Sequence, residues 1–81
     1  MIATVRGEVL VRRGDYVVIE ASGVGYRLRV SSETLRSVPA AGTEVFLHAE
    51  TISRDDSISL YGFASEEERD LFSQLIGVSG I

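Results

Sequence analysis

The sequence predicts a small all-β domain that also carries short helices. Three observations lead to this fold class. The chain has 81 residues, enough for one domain. Hydrophobic and polar residues alternate along most of its first 63 positions. Short turns rich in glycine and aspartate separate the alternating segments. With 44% hydrophobic residues, the chain can bury one core.

The first third of the chain predicts three strands. Residues 5–12 alternate with a period close to two, residues 16–20 are β-branched and aromatic, and residues 26–31 alternate again. Gly14-Asp15 and the segment 22–25 supply glycine turns between them. Sequential strands joined by short turns predict an antiparallel meander.

A short helix and two further strands follow. The helix is predicted over Ser32–Val38, with Ser32 as its N-cap and Pro39 just beyond its end. Strands are predicted over 44–53 and 57–63, on either side of a charged hairpin tip. Five strands with a short helix between the third and the fourth are the elements of a five-stranded Greek-key barrel, the OB-fold.

A second helix is predicted after the barrel, which we assign to residues 1–64. Ser65 and Glu68 have the spacing of a capping box, and acidic residues in the first turn complement the helix dipole. The helix is expected to end at Gly77. Its apolar stripe at helical spacing consists of Leu71, Phe72, Leu75 and Ile76.

Composition excludes several classes of protein. The chain has no cysteine, which excludes disulfide scaffolds, cysteine-ligated metals and thiol nucleophiles and fits a reducing compartment. No apolar run approaches the roughly 20 residues of a membrane helix. The first residues lack the basic-then-apolar order of a signal peptide. We therefore expect a cytoplasmic protein without a membrane partner.

The charge is distributed unevenly. The formal net charge is −4, with six arginines against four acids in residues 1–36 and two arginines against eight acids in residues 37–81. Nucleic-acid binding normally needs a basic surface, so the overall charge by itself argues against it.

The arginines of the first half allow two interpretations. Arg27 and Arg29, with Arg6 and Arg12 on an adjoining strand, are able to form a basic stripe for phosphate contacts. The alternative, which the sequence favours, is cross-strand pairing with Glu8 and Glu20 on a solvated face.

Catalytic, metal and cofactor motifs are weak. His48 is the single histidine, and a lone histidine is more often a surface or packed side chain than a catalyst. No Gly-x-Ser-x-Gly motif is present. Asp55 and Asp56 with Glu50 would hold a hard cation only weakly, and Gly23-Val24-Gly25 is better explained as a turn than as part of a dinucleotide site. We expect no enzyme activity and no cofactor or metal.

Two features bear on DNA. Tyr26, Tyr61 and Phe63 are candidates for stacking on single-stranded bases, although their alternation suits a core equally well. Asp55-Asp56 at the hairpin tip forms either a solvated turn or a negatively charged probe, with Arg54 partly offsetting its charge. Sequence patterning favours the turn.

Eight segments, in this order along the whole chain, together resemble the RuvA family. No single segment is specific, and the ordered set carries the resemblance. The segments are Met1-Ile2, Val5-Arg6-Gly7, Val18-Ile19-Glu20, Gly23-Val24-Gly25-Tyr26, Arg54-Asp55-Asp56, Leu60-Tyr61-Gly62-Phe63, Glu68-Arg69-Asp70-Leu71-Phe72 and Val78-Ser79-Gly80-Ile81.

The resemblance implies an OB-fold and a role without chemistry of its own. Members of this family bind four-way (Holliday) DNA junctions in recombination and repair, as homotetramers that hold the junction open for the RuvB ATPase motor. The resemblance further implies that residues 65–81 contain a helix and the truncated start of a helix-hairpin-helix domain. The main DNA-binding and motor-binding parts would then lie beyond residue 81.

The resemblance also reverses the interpretation of the hairpin tip. It implies that Asp55 and Asp56 form an acidic pin at the junction crossover, flanked by Arg54. The first acid of the family's pin is usually glutamate, so Asp55 is one methylene shorter. Two alternatives stay open: an oligomerisation module without DNA contact, and a single-strand-binding OB domain.

Overall fold

The computed structural model describes residues 1–79 and the side chains of residues 1–77. Its strands close into a barrel in the order β1-β2-β3-β5-β4. The predicted five-stranded OB-type barrel is therefore confirmed. The elements are β1 (Thr4–Arg13), β2 (Tyr16–Ala21), β3 (Val24–Arg29), α1 (Ser32–Ser37), β4 (Glu44–Arg54), β5 (Ser57–Phe63) and α2 (Glu66–Ser79).

Strands β1 to β3 form the predicted antiparallel meander. Strand β3 begins two residues earlier than predicted, because the turn before it uses only two residues. Ser22 and Gly23 have φ of 53° and 83°. Positive φ at both positions is the geometry of a two-residue hairpin turn whose twist matches the strands, so pairing resumes at once at Val24.

Strand β1 closes the barrel by pairing with β2 at one end and with β4 at the other. It bends where the register shifts between Val9 and Val11. At Gly7 the backbone passes so close to the carbonyl group of Glu20 that a Cβ atom would collide with it. Glycine is needed here because only hydrogen fits against the neighbouring strand.

The core lies inside the barrel and is built from the inward-facing residues of four strands, with α1 and its flanks closing one end. Thr34 of α1 is also buried and takes part in a hydrogen bond with the Ser31 hydroxyl. The buried hydrophobic residues are Val5, Val9, Val17, Ile19, Leu28, Val30, Val38, Leu47 and Ala49.

Helix α1 is capped at both ends by residues that the sequence did not indicate. The N-cap is Ser31 rather than Ser32, since the Ser31 hydroxyl accepts a 3.0 Å hydrogen bond from the Thr34 amide. At the other end, the Arg12 guanidinium donates to the carbonyl oxygens of Leu35 and Val38 at 2.8 and 3.0 Å. A side chain from β1 thus binds two carbonyls at the end of the helix, where the Leu35 carbonyl also accepts from the Val38 amide.

Helix α2 begins with the predicted capping box. The Ser65 hydroxyl accepts from the Glu68 amide at 3.2 Å and also contacts the Glu68 carboxylate at 3.4 Å. The predicted end at Gly77 is wrong, because α2 continues to Ser79. Gly77 has no positive φ and costs a helix only about 1 kcal/mol. Gly80-Ile81 of the predicted next element lie outside the described residues.

Candidate functional site

The β4–β5 hairpin carries the predicted site away from the barrel. Its antiparallel register runs from His48–Phe63 to Arg54–Ser57 and leaves Asp55-Asp56 as the connecting loop. All six residues from 53 to 58 are exposed, whereas Ala49 is buried. At about 3.3 Å per residue, the tip lies roughly 20 Å along β4 from Ala49. The two carboxylates therefore sit at the end of a projecting arm.

The charges at this tip have no structural partners. Arg54, Asp55 and Asp56 form no salt bridge or side-chain hydrogen bond with any other described residue. Strand pairing and the contacts of α2 hold the hairpin, so its fold does not require two adjacent carboxylates. The tip presents two negative charges and one positive charge to the solvent.

The weak cation set suggested by the sequence is not assembled. Glu50 lies opposite Tyr61, five residues from Asp55, which is roughly 16 Å of extended strand. Its carboxylate instead accepts a 2.7 Å hydrogen bond from the Ser73 hydroxyl of α2. Within residues 1–79, no group of three or more histidine or carboxylate side chains is arranged to hold a metal ion.

His48 is a packed side chain, as the sequence favoured. It is half-buried, and its ring meets the ring of Phe46 edge-on, with centroids 5.1 Å apart and planes at 84°. It lies opposite Thr4 on β1 and Phe63 on β5.

The aromatic residues considered for base stacking are already engaged. Phe72 of α2 packs against Tyr61 and Phe63, with centroid distances of 5.1 and 5.0 Å. Tyr26 is half-buried against the core. Base stacking needs exposed rings, so these contacts leave little support for single-strand binding through these side chains.

The arginines do not form the predicted pairs with Glu8 and Glu20. Those two glutamates instead face each other across β1 and β2. Arg6 lies 3.8 Å from the Glu44 carboxylate and 4.9 Å from the ring centroid of Phe46.

The four-arginine stripe, which was the other interpretation of these residues, is also not assembled. Arg12 is used as the cap of α1. Arg27 and Arg29 are the two members of that stripe that share one surface, on the outer face of β3. Arg29 lies 3.8 Å from the Asp15 carboxylate.

One feature near the tip was missed by the sequence reasoning. Ile58 shares a strand face with Leu60, yet it is 73% exposed. Within the described residues, β5 pairs with β3 at Leu28–Leu60 and Arg29–Tyr61. Ile58 therefore precedes the part of β5 that lies in the barrel wall. Alternation reports the face of a residue and does not show where a neighbouring strand stops.

Comparison with known proteins identifies the family. The model of the RuvA N-terminal domain family matches residues 1–62, which include the whole barrel except the last residue of β5. The chain belongs to the RuvA family. The resemblance of the eight segments is therefore confirmed.

Relatives in the RuvA family match over all 81 residues. The relatives of Nocardia farcinica and Mycobacterium tuberculosis are each 53% identical to this chain, and that of Chloroflexus aggregans is 42% identical. Each is named "Holliday junction branch migration complex subunit RuvA". The chain spans 40–42% of their length. Among the described residues, no helix is long and apolar enough to cross a membrane.

Proposed function

We propose that this chain is the N-terminal barrel of a protein that recognises four-way DNA junctions in recombination and repair, with no chemistry of its own. Family membership and the name of the relatives support this function. The observation that carries it is the projecting hairpin, whose carboxylates at Asp55 and Asp56 have no structural task in the described residues.

The proposed mechanism of the hairpin is repulsion. A carboxylate about 6 Å from a phosphate is repelled by roughly 0.7 kcal/mol in a water-like dielectric, and salt screens this further. The repulsion keeps a continuous duplex from settling across the tip, while the separated strands of a junction pass around it. Because this electrostatic repulsion is weak, it discriminates between DNA shapes and does not add affinity.

The proposal includes the wider assembly. The protein acts in the cytoplasm as a homotetramer that brings four hairpin tips to the crossover while the RuvB motor hydrolyses ATP. Residues 65–81 begin a helix-hairpin-helix domain that supplies most of the DNA affinity. Arg54 beside the two aspartates orients the pin or tunes its charge.

The hairpin is tested by neutralising it in the protein at its full encoded length. Asp55→Asn with Asp56→Asn keeps the shape of both side chains and removes their charge. We expect duplex affinity to rise about 3- to 10-fold while junction affinity changes less, as two repulsive terms of this size allow. Fluorescence anisotropy with a synthetic four-way junction and a matched linear duplex measures both.

The matched control is Glu8→Gln with Glu20→Gln. It changes the net charge by the same amount on the barrel, where Glu8 pairs with Glu44 at the opposite end of β4 from the tip. An unchanged duplex-to-junction ratio in the aspartate variant, or an equal change in the control, would contradict the repulsive role.

An oligomerisation module without DNA contact is the second candidate. It is favoured by the apolar side chains on the barrel surface, Leu10, Val24 and Phe46, which are 43%, 49% and 39% exposed. Sedimentation of the 81-residue chain tests assembly, and the aspartate variant at full encoded length tests DNA contact by the barrel. A tetramer of the 81-residue chain, together with duplex and junction affinities that do not respond to Asp55→Asn with Asp56→Asn, would favour assembly alone.

A further inference from the structure

A row of three residues crosses the outer face of the barrel near the β1–β2 turn. Tyr16 of β2 lies directly opposite Arg13 of β1 on one side and Arg29 of β3 on the other. Directly opposite residues of antiparallel strands point to the same face. Arg27, two positions before Arg29, places its guanidinium 5.8 Å from the centroid of the Tyr16 ring. Arg13, Tyr16, Arg27 and Arg29 form what we call the β3 arginine surface.

The cations of this surface are weakly neutralised. Arg13 and Arg27 form no salt bridge with any described residue. Arg29 has a 3.8 Å pair with Asp15, in which the two side chains are 63% and 75% exposed. Such an exposed pair contributes little and separates easily. Three guanidinium groups are therefore available to an anion in a protein whose net charge is −4.

The β3 arginine surface is connected to the hairpin tip. Between β3 and β5 lies a cleft of about 360 Å³ lined by Arg27 and Arg29 on one side and by Ile58 and Leu60 on the other. Ile58 also borders the hollow at the tip that Asp55 and Asp56 line. One continuous surface thus runs from the two aspartates to the arginines.

The spacing suits a nucleic-acid backbone. Arg13 and Arg29 are two strand positions apart, which is about 10 Å at 4.8 Å between strands. This equals the rise of about three base pairs along the DNA helix axis, at 3.4 Å each. Guanidinium groups bind phosphate oxygens in a planar, bidentate manner.

We propose that the β3 arginine surface binds the backbone phosphates of the duplex arm that leaves the hairpin tip. This proposal rests on the proposed junction function. The aspartates repel phosphates at the crossover, and the arginines attract them where the duplex resumes. An arm is thereby steered along β3 and away from the centre.

The test is the salt dependence of junction binding in the protein at its full encoded length. Arg27→Gln with Arg29→Gln should weaken binding and reduce the slope of log K against log salt by about 0.9 for each phosphate that the variant no longer neutralises. Arg27→Lys with Arg29→Lys keeps the charges and should retain most of the slope. Arg13→Gln removes the third arginine of this surface and should weaken binding by a smaller amount.

The matched control is Arg6→Gln with Arg36→Gln, which removes two exposed arginines that pair with Glu44 and Glu33. An equal slope in the control and in the Arg27/Arg29 glutamine variant would overturn the proposal. So would unchanged binding by Arg13→Gln, which tests the surface even if the double variant folds poorly.

The two proposals fail in different ways. If the unaltered protein binds duplex and junction equally but its salt slope still depends on Arg27 and Arg29, the junction function fails and the phosphate surface stands. If the junction preference is present and the arginines do not alter the slope, only the phosphate surface fails. If the unaltered protein binds neither DNA, both are wrong.

Discussion

The hydroxyl of Ser73 donates a 2.7 Å hydrogen bond to the carboxylate of Glu50 and so ties α2 to β4. Beside it, Phe72 packs against the aromatic residues of β5. These contacts set the direction in which the chain leaves the barrel. Under the proposed function, the domain that follows α2 is oriented relative to the hairpin tip through these contacts.

Ser73→Ala is predicted to loosen α2 without unfolding the barrel. The loss of a partly buried hydrogen bond to a carboxylate costs about 1–2 kcal/mol. Hydrogen exchange should accelerate in the amides of α2 and stay unchanged in β1 and β2. Gln74→Ala, at the exposed neighbouring position, is the control. If the amides of α2 exchange equally slowly in both variants, the hydrogen bond to Glu50 does not hold the helix.

Gly7→Ala is predicted to destabilise the barrel by at least about 2 kcal/mol. The added Cβ would meet the backbone carbonyl of Glu20, which moves only if two paired strands separate. Gly25→Ala is the matched control, since its Cβ would meet only Val18 at an ordinary 3.6 Å. Urea unfolding measures both, and equal midpoints for the two variants would contradict the close approach at Gly7.

Arg12→Met is predicted to lower the free energy of unfolding by about 1–3 kcal/mol. The variant keeps the aliphatic stem but removes the Arg12 donor from the Val38 carbonyl and leaves the Leu35 carbonyl with the Val38 amide alone. The neighbouring Arg13→Met removes an arginine that forms no salt bridge within the described residues, and its stability should change by less than about 0.5 kcal/mol. Thermal unfolding compares the two, and similar melting temperatures would rule out the capping role.

Local patterns in the sequence predicted most of the secondary structure. Residues 57–63 were predicted as a strand and β5 has those bounds, because alternation and the turn at Asp55-Asp56 are both local signals. The capping box at Ser65 was likewise visible in four consecutive residues. The predictions at Ser32 and Gly77 were wrong about the ends of helices. Adjacent residues differ little in free energy as the cap or the last residue of a helix.

The sequence by itself determined the fold class, the family and the position of two aspartates on a hairpin loop. Only the tertiary structure decided which charged groups are free. Arg12 and Arg13 are adjacent in sequence, yet one caps a helix and the other faces the solvent. Closure of the barrel brings residues together that lie up to about 49 positions apart, as Ile2 and Thr51 do. Alternation of polar and apolar residues along a strand indicates the face on which each residue lies. It does not indicate which residue lies opposite once the barrel has closed.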